Sequence, residues 1–219
     1  MIRNTAYTPI ILSIGGIFMK KLLKLTVFLV LVSLIFQGFS LLRDRRMLDT
    51  GLVRLHVVGA SDNEMDQAVK LQVRDAVLEC VASLGTPQNA AEAKALLEEN
   101  LPAIRDAANR ALEGLENATV TLCREVFPAR EYDSFTLPSG VYDSLRVKIG
   151  EAKGRNWWCV VFPSLCVPAA GESLDAVAAG AGFSQGLTDA ITDSECSVSF
   201  FFLDLLGKAE SFLFGLFHS

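Results

Sequence analysis

Leu25 to Leu42 forms an apolar run of 18 residues, with Lys20, Lys21 and Lys24 before it and Arg43, Arg45 and Arg46 after it. As a helix rising 1.5 Å per residue, such a run reaches about 27 Å, close to the hydrocarbon thickness of a bilayer. No charge interrupts it and both flanks are basic, which sets it apart from a buried core helix. It reads as an export segment over residues 1–46, with its span at about 25–42. Either a long signal peptide or an uncleaved membrane anchor fits. Gly38 and Ser40 suit cleavage after Ser40, although neither is Ala and basic residues follow at once. Met19-Lys20-Lys21-Leu22-Leu23-Lys24 looks like the opening of an exported protein, so we expect translation to start at Met19 rather than Met1.

The charge balance agrees with export. Seven Lys/Arg precede residue 47 against one acid, Asp44, whereas the remainder holds 13 basic and 24 acidic residues, a balance of −11. A nucleic-acid surface needs clustered Lys/Arg, so that class is excluded. A mean hydropathy of +0.35 disfavours a soluble cytosolic enzyme. With 219 residues, one main domain is expected beyond the export segment.

Leu52-Val53-Arg54-Leu55-His56-Val57-Val58 alternates with period two, which predicts a strand whose Val53, Leu55 and Val57 face the core while Arg54 and His56 face out. Ser61 stands three residues before Glu64, the spacing of a capping box at a helix start. Met65, Val69, Val73, Ala76, Cys80 and Leu84 then mark one helical stripe, ended by Gly85-Thr86-Pro87. A second helical stretch runs from about Ala90 to Leu115. Pro102 interrupts it, and Asn100 is positioned to cap a restarted helix. Strands follow over Ala118–Phe127 and Leu145–Ile149. After the turn Gly150–Gly154, Trp157–Phe162 is expected to return as a hairpin partner of the latter. The order predicts an α+β fold, a small and mainly antiparallel sheet covered on one face by helices, over residues 47–167.

Eleven of the 30 residues from 168 to 197 are Ala or Gly, which reads as a linker. The last 22 residues, 198–219, hold six of the 14 Phe. Phe202, Leu206, Ala209, Leu213 and Leu216 describe an apolar helical face, so this tail is amphipathic. Asp204, Lys208 and Glu210 argue against a second span, and docking onto the sheet or a partner protein is expected ahead of lying on lipid.

Candidate chemistry is sparse. Histidine-assisted catalysis would have to use His56, since His218 is the penultimate residue, and His56 sits in a strand as a sheet-surface residue. Helix capping accounts for Asp62, Asn63, Glu64 and Asp66 better than a calcium loop does. There is no phosphate loop, dinucleotide fingerprint or metal cluster, so no catalytic residue, cofactor, metal or small-molecule substrate is assigned. Of the five cysteines, Cys80 belongs to the buried helical stripe, and Cys159 and Cys166, enclosing six residues, are the candidate disulfide pair in an exported domain. Adjacent tryptophans in a strand face opposite sides, which predicts one ring in the core and the other at the surface or under the helices. Trp157, Trp158, Phe162 and Pro163 are therefore the candidate partner-binding residues, an apolar anchor of the kind that dominates protein interfaces.

Asn156-Trp157-Trp158-Cys159-Val160-Val161-Phe162-Pro163-Ser164-Leu165-Cys166, with Gly150-Glu151-Ala152-Lys153-Gly154 before it, resembles the signature of the stage II sporulation protein R family. Arg54–Val58, Ser61-Asp62, the stretch Asp66–Val77, Pro138–Tyr142 and Leu145–Val147 resemble the same family in the same order, over about residues 52–167. Two departures stand out. Ser164 replaces a second proline, and Gly59-Ala60 replaces the Ala-Asn expected before Ser61, which puts in doubt any polar contact made at Ala60. The resemblance implies a signalling protein of endospore formers, exported across the forespore membrane into the intermembrane space. There it would activate a membrane-embedded aspartic protease of the mother cell that processes pro-sigma-E. From residues alone, an exported hydrolase or thiol enzyme using His56 or a cysteine stays open as the alternative.

Overall fold

The computed structural model describes residues 8–164, 174–193 and 198–218. Its first helix, α1 (Thr8–Gly51), contains the apolar run, and within Met19–Gly51 it is long and apolar enough to cross a membrane. The chain divides at Leu42 into two compact units, so the last turns of α1, from Arg43 onward, belong to the second unit.

That second unit is α+β. Its strands are β1 (Val53–Val58), β2 (Ala118–Phe127), β5 (Gly140–Ile149) and β6 (Asn156–Phe162), in the spatial order β2-β5-β1-β6. A separate two-residue ladder joins β3 (Arg130–Glu131) to β4 (Thr136–Leu137). The sheet is mixed, since β2 and β5 pair antiparallel and so do β1 and β6, while β1 and β5 run parallel. The expected hairpin between β5 and β6 is therefore corrected, because β1 lies between them. The intervening loop crosses the end of β1 and is held there by backbone bonds from Gly154 N to Gly59 O (2.9 Å) and from Lys153 N to Ala60 O (3.1 Å). The contact at Ala60 is made by its carbonyl, which needs no polar side chain.

One face of the sheet carries Val53, Leu55, Val57, Leu145 and Val147. Against it pack α2 (Glu64–Ser83), α3 (Ala90–Glu99) and α4 (Leu101–Ala111) through Val73, Val77, Leu97, Ile104 and Ala108. The α2 stripe turns slightly from its expected line, with Val77 buried in place of Ala76 and Met65 exposed. Pro102 splits the second helical stretch at Asn100, as its position predicts. Asn100 makes no side-chain cap, however, and its amide instead donates to Leu96 O at 2.8 Å.

The opposite face is also covered, so every residue of β1 is buried and the outward placement of Arg54 and His56 is corrected. The covering layer comprises the end of α1, where Leu48 is fully buried as is Leu52 just after it, together with α6 (Gln185–Thr192) and α7 (Val198–His218). The Ala/Gly-rich stretch read as a linker thus holds two helices over its described part, α5 (Leu174–Gly180) and α6, and buries Ala178, Phe183, Leu187 and Ile191. Ser184 both caps α6 and bonds Asp44 at 3.1 Å, tying this stretch to the end of α1. Small residues permitted the tight packing that composition alone suggested was slack.

Candidate functional site

β6 brings the two tryptophans to opposite faces, as strand alternation demands. Trp157 turns toward α2, where it packs against the apolar core and lies under the Arg74 guanidinium at 4.4 Å. Trp158 turns to the other face and stacks on His56, its register partner in β1, at 3.8 Å between ring centroids. Its edge meets Phe127 at 4.6 Å. Neither ring stands free. Both are half-buried, which corrects the expectation of one core ring and one exposed anchor. Both indole N–H groups are buried with no hydrogen-bond partner.

His56 is 8% exposed and is not a sheet-surface residue. Its Nδ1 lies 3.1 Å from Glu125 Oε2 and its Nε2 lies 3.0 Å from Asn156 Oδ1, so both ring nitrogens are engaged. Arg146 reaches the same Glu125 oxygen at 3.4 Å. Burial alone would raise the Glu125 carboxyl, but the hydrogen bond and charge of His56 and the charge of Arg146 outweigh it and hold the group below its ordinary range. Deeper in the same face Arg54 is 0% exposed, between Phe127 at 4.1 Å and Tyr142 at 4.9 Å, and donates to the Tyr132 hydroxyl at 2.6 Å. The aromatic faces offset part of the cost of burying that cation, by roughly 2 kcal/mol when desolvated. Burial also pushes the Tyr142 phenol up to about 12, leaving it a neutral donor to Pro138 O at 2.7 Å.

The end of β6 borders an apolar groove of about 640 Å³. Val160, Phe162 and Pro163 form one wall, Leu78, Val81 and Ala82 of α2 another, and Leu96 of α3 with Val177 of α5 close the rest. Phe162 is half-buried and Pro163 buried. Cys159 is buried, but Cys166 lies outside the described residues, and the proposed disulfide lies there with it. Cys80 and Cys123 are half-buried, and burial raises the Cys123 thiol. Among the described residues no three His, Cys, Asp or Glu side chains converge as metal ligands.

The α2 start is built differently from a Ser61–Glu64 box. Asn63 is the cap, its side chain accepting from Asp66 N at 2.7 Å, while Ser61 Oγ donates to the Asp66 carboxylate at 2.6 Å and Glu64 opens the helix. Asn63 wins because it immediately precedes the first helical residue, where its short amide reaches the free N–H groups. Around it, Gln67 Nε2 donates to Ser61 O (2.7 Å), Lys70 Nζ to Arg155 O (3.0 Å) and Arg155 N to the Asp62 carboxylate (2.7 Å). These bonds clamp the segment entering β6 and so aim Trp157 and Trp158.

Sequence reasoning missed one cluster outright. Arg45, near the end of α1, donates to Ser139 O at 2.8 Å and pairs with Asp49 at 2.7 Å and Glu210 of α7 at 2.8 Å. Its guanidinium passes between Gly140 and Gly207, where a Cβ at Gly140 would land on Arg45 and one at Gly207 on the Ser139 carbonyl oxygen. Asp204 of α7 accepts from Ser139 N (2.8 Å) and Oγ (2.7 Å) and pairs with Lys208 (2.9 Å). The sequence hint was Gly207, a glycine near the middle of a helix rich in Phe and Leu.

Residues 49–171 match the family described as stage II sporulation protein R. A protein of that name from Bacillus subtilis (strain 168) is 31% identical over 118 residues, covering 52% of this chain and 53% of that protein. The match thus spans about half the length of the curated relative. No solved structure matches the chain.

Proposed function

Because the chain belongs to the stage II sporulation protein R family, we propose that it is an exported signalling protein of sporulation. On this reading it crosses the forespore membrane and, in the intermembrane space, activates a membrane-embedded aspartic protease of the mother cell that processes pro-sigma-E. The observation that carries the reading is the placement of the family-matched domain, which follows the apolar span of α1 within a few residues. A signal peptide or anchor of that kind delivers whatever follows it to a membrane. The contact we assign to the protease is the end of β6, where Phe162 and Pro163 line the apolar groove, together with Trp158 on the opposite face of the strand and Trp157 on the side of α2. A loop closed by Cys159 and Cys166 would stiffen that end.

The hydrolase alternative draws no support from His56. With Glu125 on one nitrogen and Asn156 on the other, neither is left to take a proton from a nucleophile. The test is co-expression of the full chain, the protease and pro-sigma-E in a bacterium that does not sporulate, with processing read on a gel. Processing should require the chain and its span, survive His56→Gln, and fall sharply for Trp158→Ala and Phe162→Ala proteins that are still exported and folded. Processing indifferent to the chain, or abolished by His56→Gln in a folded protein, would overturn the proposal.

A further inference from the structure

α7 faces the wrong way for a helix in water. The face it lays on the domain carries Leu203, Asp204, Gly207 and Glu210, whereas Phe201, Phe202, Leu205, Phe212, Leu213 and Leu216 are exposed. Those six recur at helical spacing along nearly the whole helix, so the apolar stripe is continuous, and soluble monomers rarely leave such a stripe uncovered. The docked face is fixed by Arg45, and Arg45 comes three residues after Leu42, the end of the apolar run. A helix fastened to residues that follow a span by so few positions is tethered beside the bilayer.

We propose that the outward face of α7 lies in the headgroup and acyl boundary of the membrane that the apolar run of α1 enters, as an in-plane amphipathic helix. The polar atoms that would resist burial there are already turned inward, Asp204 onto Ser139 and Glu210 onto Arg45. Lys208 is the one charge left among the exposed residues of the stripe, and a lysine stem can lie along lipid while its ammonium reaches the phosphates. A second copy fits less well. Lys208 sits near the middle of the stripe, so a helix pair of either polarity would bring two ammonium groups together in a desolvated seam. Insertion rests on apolar burial rather than on charge, and it does not depend on the identity of the protease partner.

The full chain, reconstituted in vesicles of phosphatidylethanolamine and phosphatidylglycerol, tests this with benzoylphenylalanine placed singly at Phe212 or at Met65 of α2. These positions are equally exposed, at 69% and 70%. Illumination should attach phospholipid at position 212 and not at 65, with little change on adding salt or on omitting the anionic lipid. Phe201→Asp should lower the yield at 212 several-fold without moving the melting temperature. A cross-linked dimer through 212 would assign the face to a second copy. No adduct would show that the face meets only water, and lipid captured equally at both positions would show that the contact is not specific to this face. Each of these outcomes overturns the proposal.

Discussion

On one face of the sheet, α2 and α4 press Val73, Val77, Ile104 and Ala108 onto the apolar side of β1 and β5 and leave their charges, Lys70 excepted, at the solvent side. On the other, α7 presses a carboxylate pair and a glycine onto Ser139 and Arg45 and leaves Phe201, Phe202 and Phe212 outside. The first layer is held by area removed from water, which is non-directional and tolerant of small shifts. The second also buries Leu48, Leu187 and Leu203, but its α7 is fastened by a few hydrogen-bonded charges whose geometry must be met, because removing one partner strands the other. The difference teaches that the two layers do different jobs. One makes the domain, and the other fastens the end of α1 to a helix whose apolar side is available.

The comparison predicts its own largest effect. Ile104→Ala should cost about 2–5 kcal/mol by leaving a cavity between α4 and the sheet, and loss should appear in calorimetry as one lowered transition for the whole second unit. Gly207→Ala should cost less, about 1–3 kcal/mol, because its new methyl must displace the Ser139 carbonyl. Its effect should also be local, with α7 becoming sensitive to limited proteolysis well below the main transition. If Gly207→Ala melts the whole unit as Ile104→Ala does, the layers are not separable and the contrast fails.

The two layers also differed in how far sequence could foresee them. The α2–α4 layer was legible because period 3.6 in the helices and period two in the strands encode burial directly, as Ala93, Leu97, Ile104 and Ala108 show. The adjacent tryptophans were likewise legible as facing opposite ways, though not as half-buried, since what covers them is His56, Phe127 and Arg74 from distant parts of the chain. The α7 layer was misread for a physical reason. An apolar stripe at Phe202, Leu213 and Leu216 normally marks the docked face, and here it marks the free one. Nothing in a single sequence reveals that Arg45 and Glu210, 165 positions apart, will meet. The β5–β6 hairpin failed similarly, because turn chemistry reports only local geometry and cannot show β1 inserted between two strands.

A smaller effect separates the layers by pH. Burial alone would raise the Asp204 carboxyl, but bonds from Lys208 and Ser139 hold it below its ordinary value of 3.8. A depressed carboxyl contributes stability that is present above the unfolded value and lost as pH falls through the folded one. The proteolytic protection that α7 loses in Asp204→Asn should therefore be constant from pH 8 down to about 4 and shrink below that. The α2–α4 layer, probed by Ile104→Ala, should show no matching trend. A deficit in Asp204→Asn that already fades between pH 7 and pH 5 would mean that another group controls the junction.

The smallest predicted effect lies at the start of α2, where the packed layer meets its own polar clamp. Asn63→Ala removes the acceptor for Asp66 N and should cost about 1 kcal/mol, the usual value for a lost cap. Ser61→Ala removes bonds to the Asp66 carboxylate and to Asn63 at a half-buried position but leaves the helix cap itself in place, so it should cost less, about 0.5 kcal/mol. Urea unfolding of the two variants beside the parent resolves that gap if the slope is unchanged. Because Asn63 adjoins the bonds donated by Gln67 and Lys70 and accepted by Asp62 that aim β6, its loss should also loosen Trp157, seen as a change in tryptophan emission before unfolding begins. If Ser61→Ala costs as much as Asn63→Ala, the serine shares the capping role. If neither moves the emission, the clamp holds β6 through Lys70 and Arg155 without help from the helix cap.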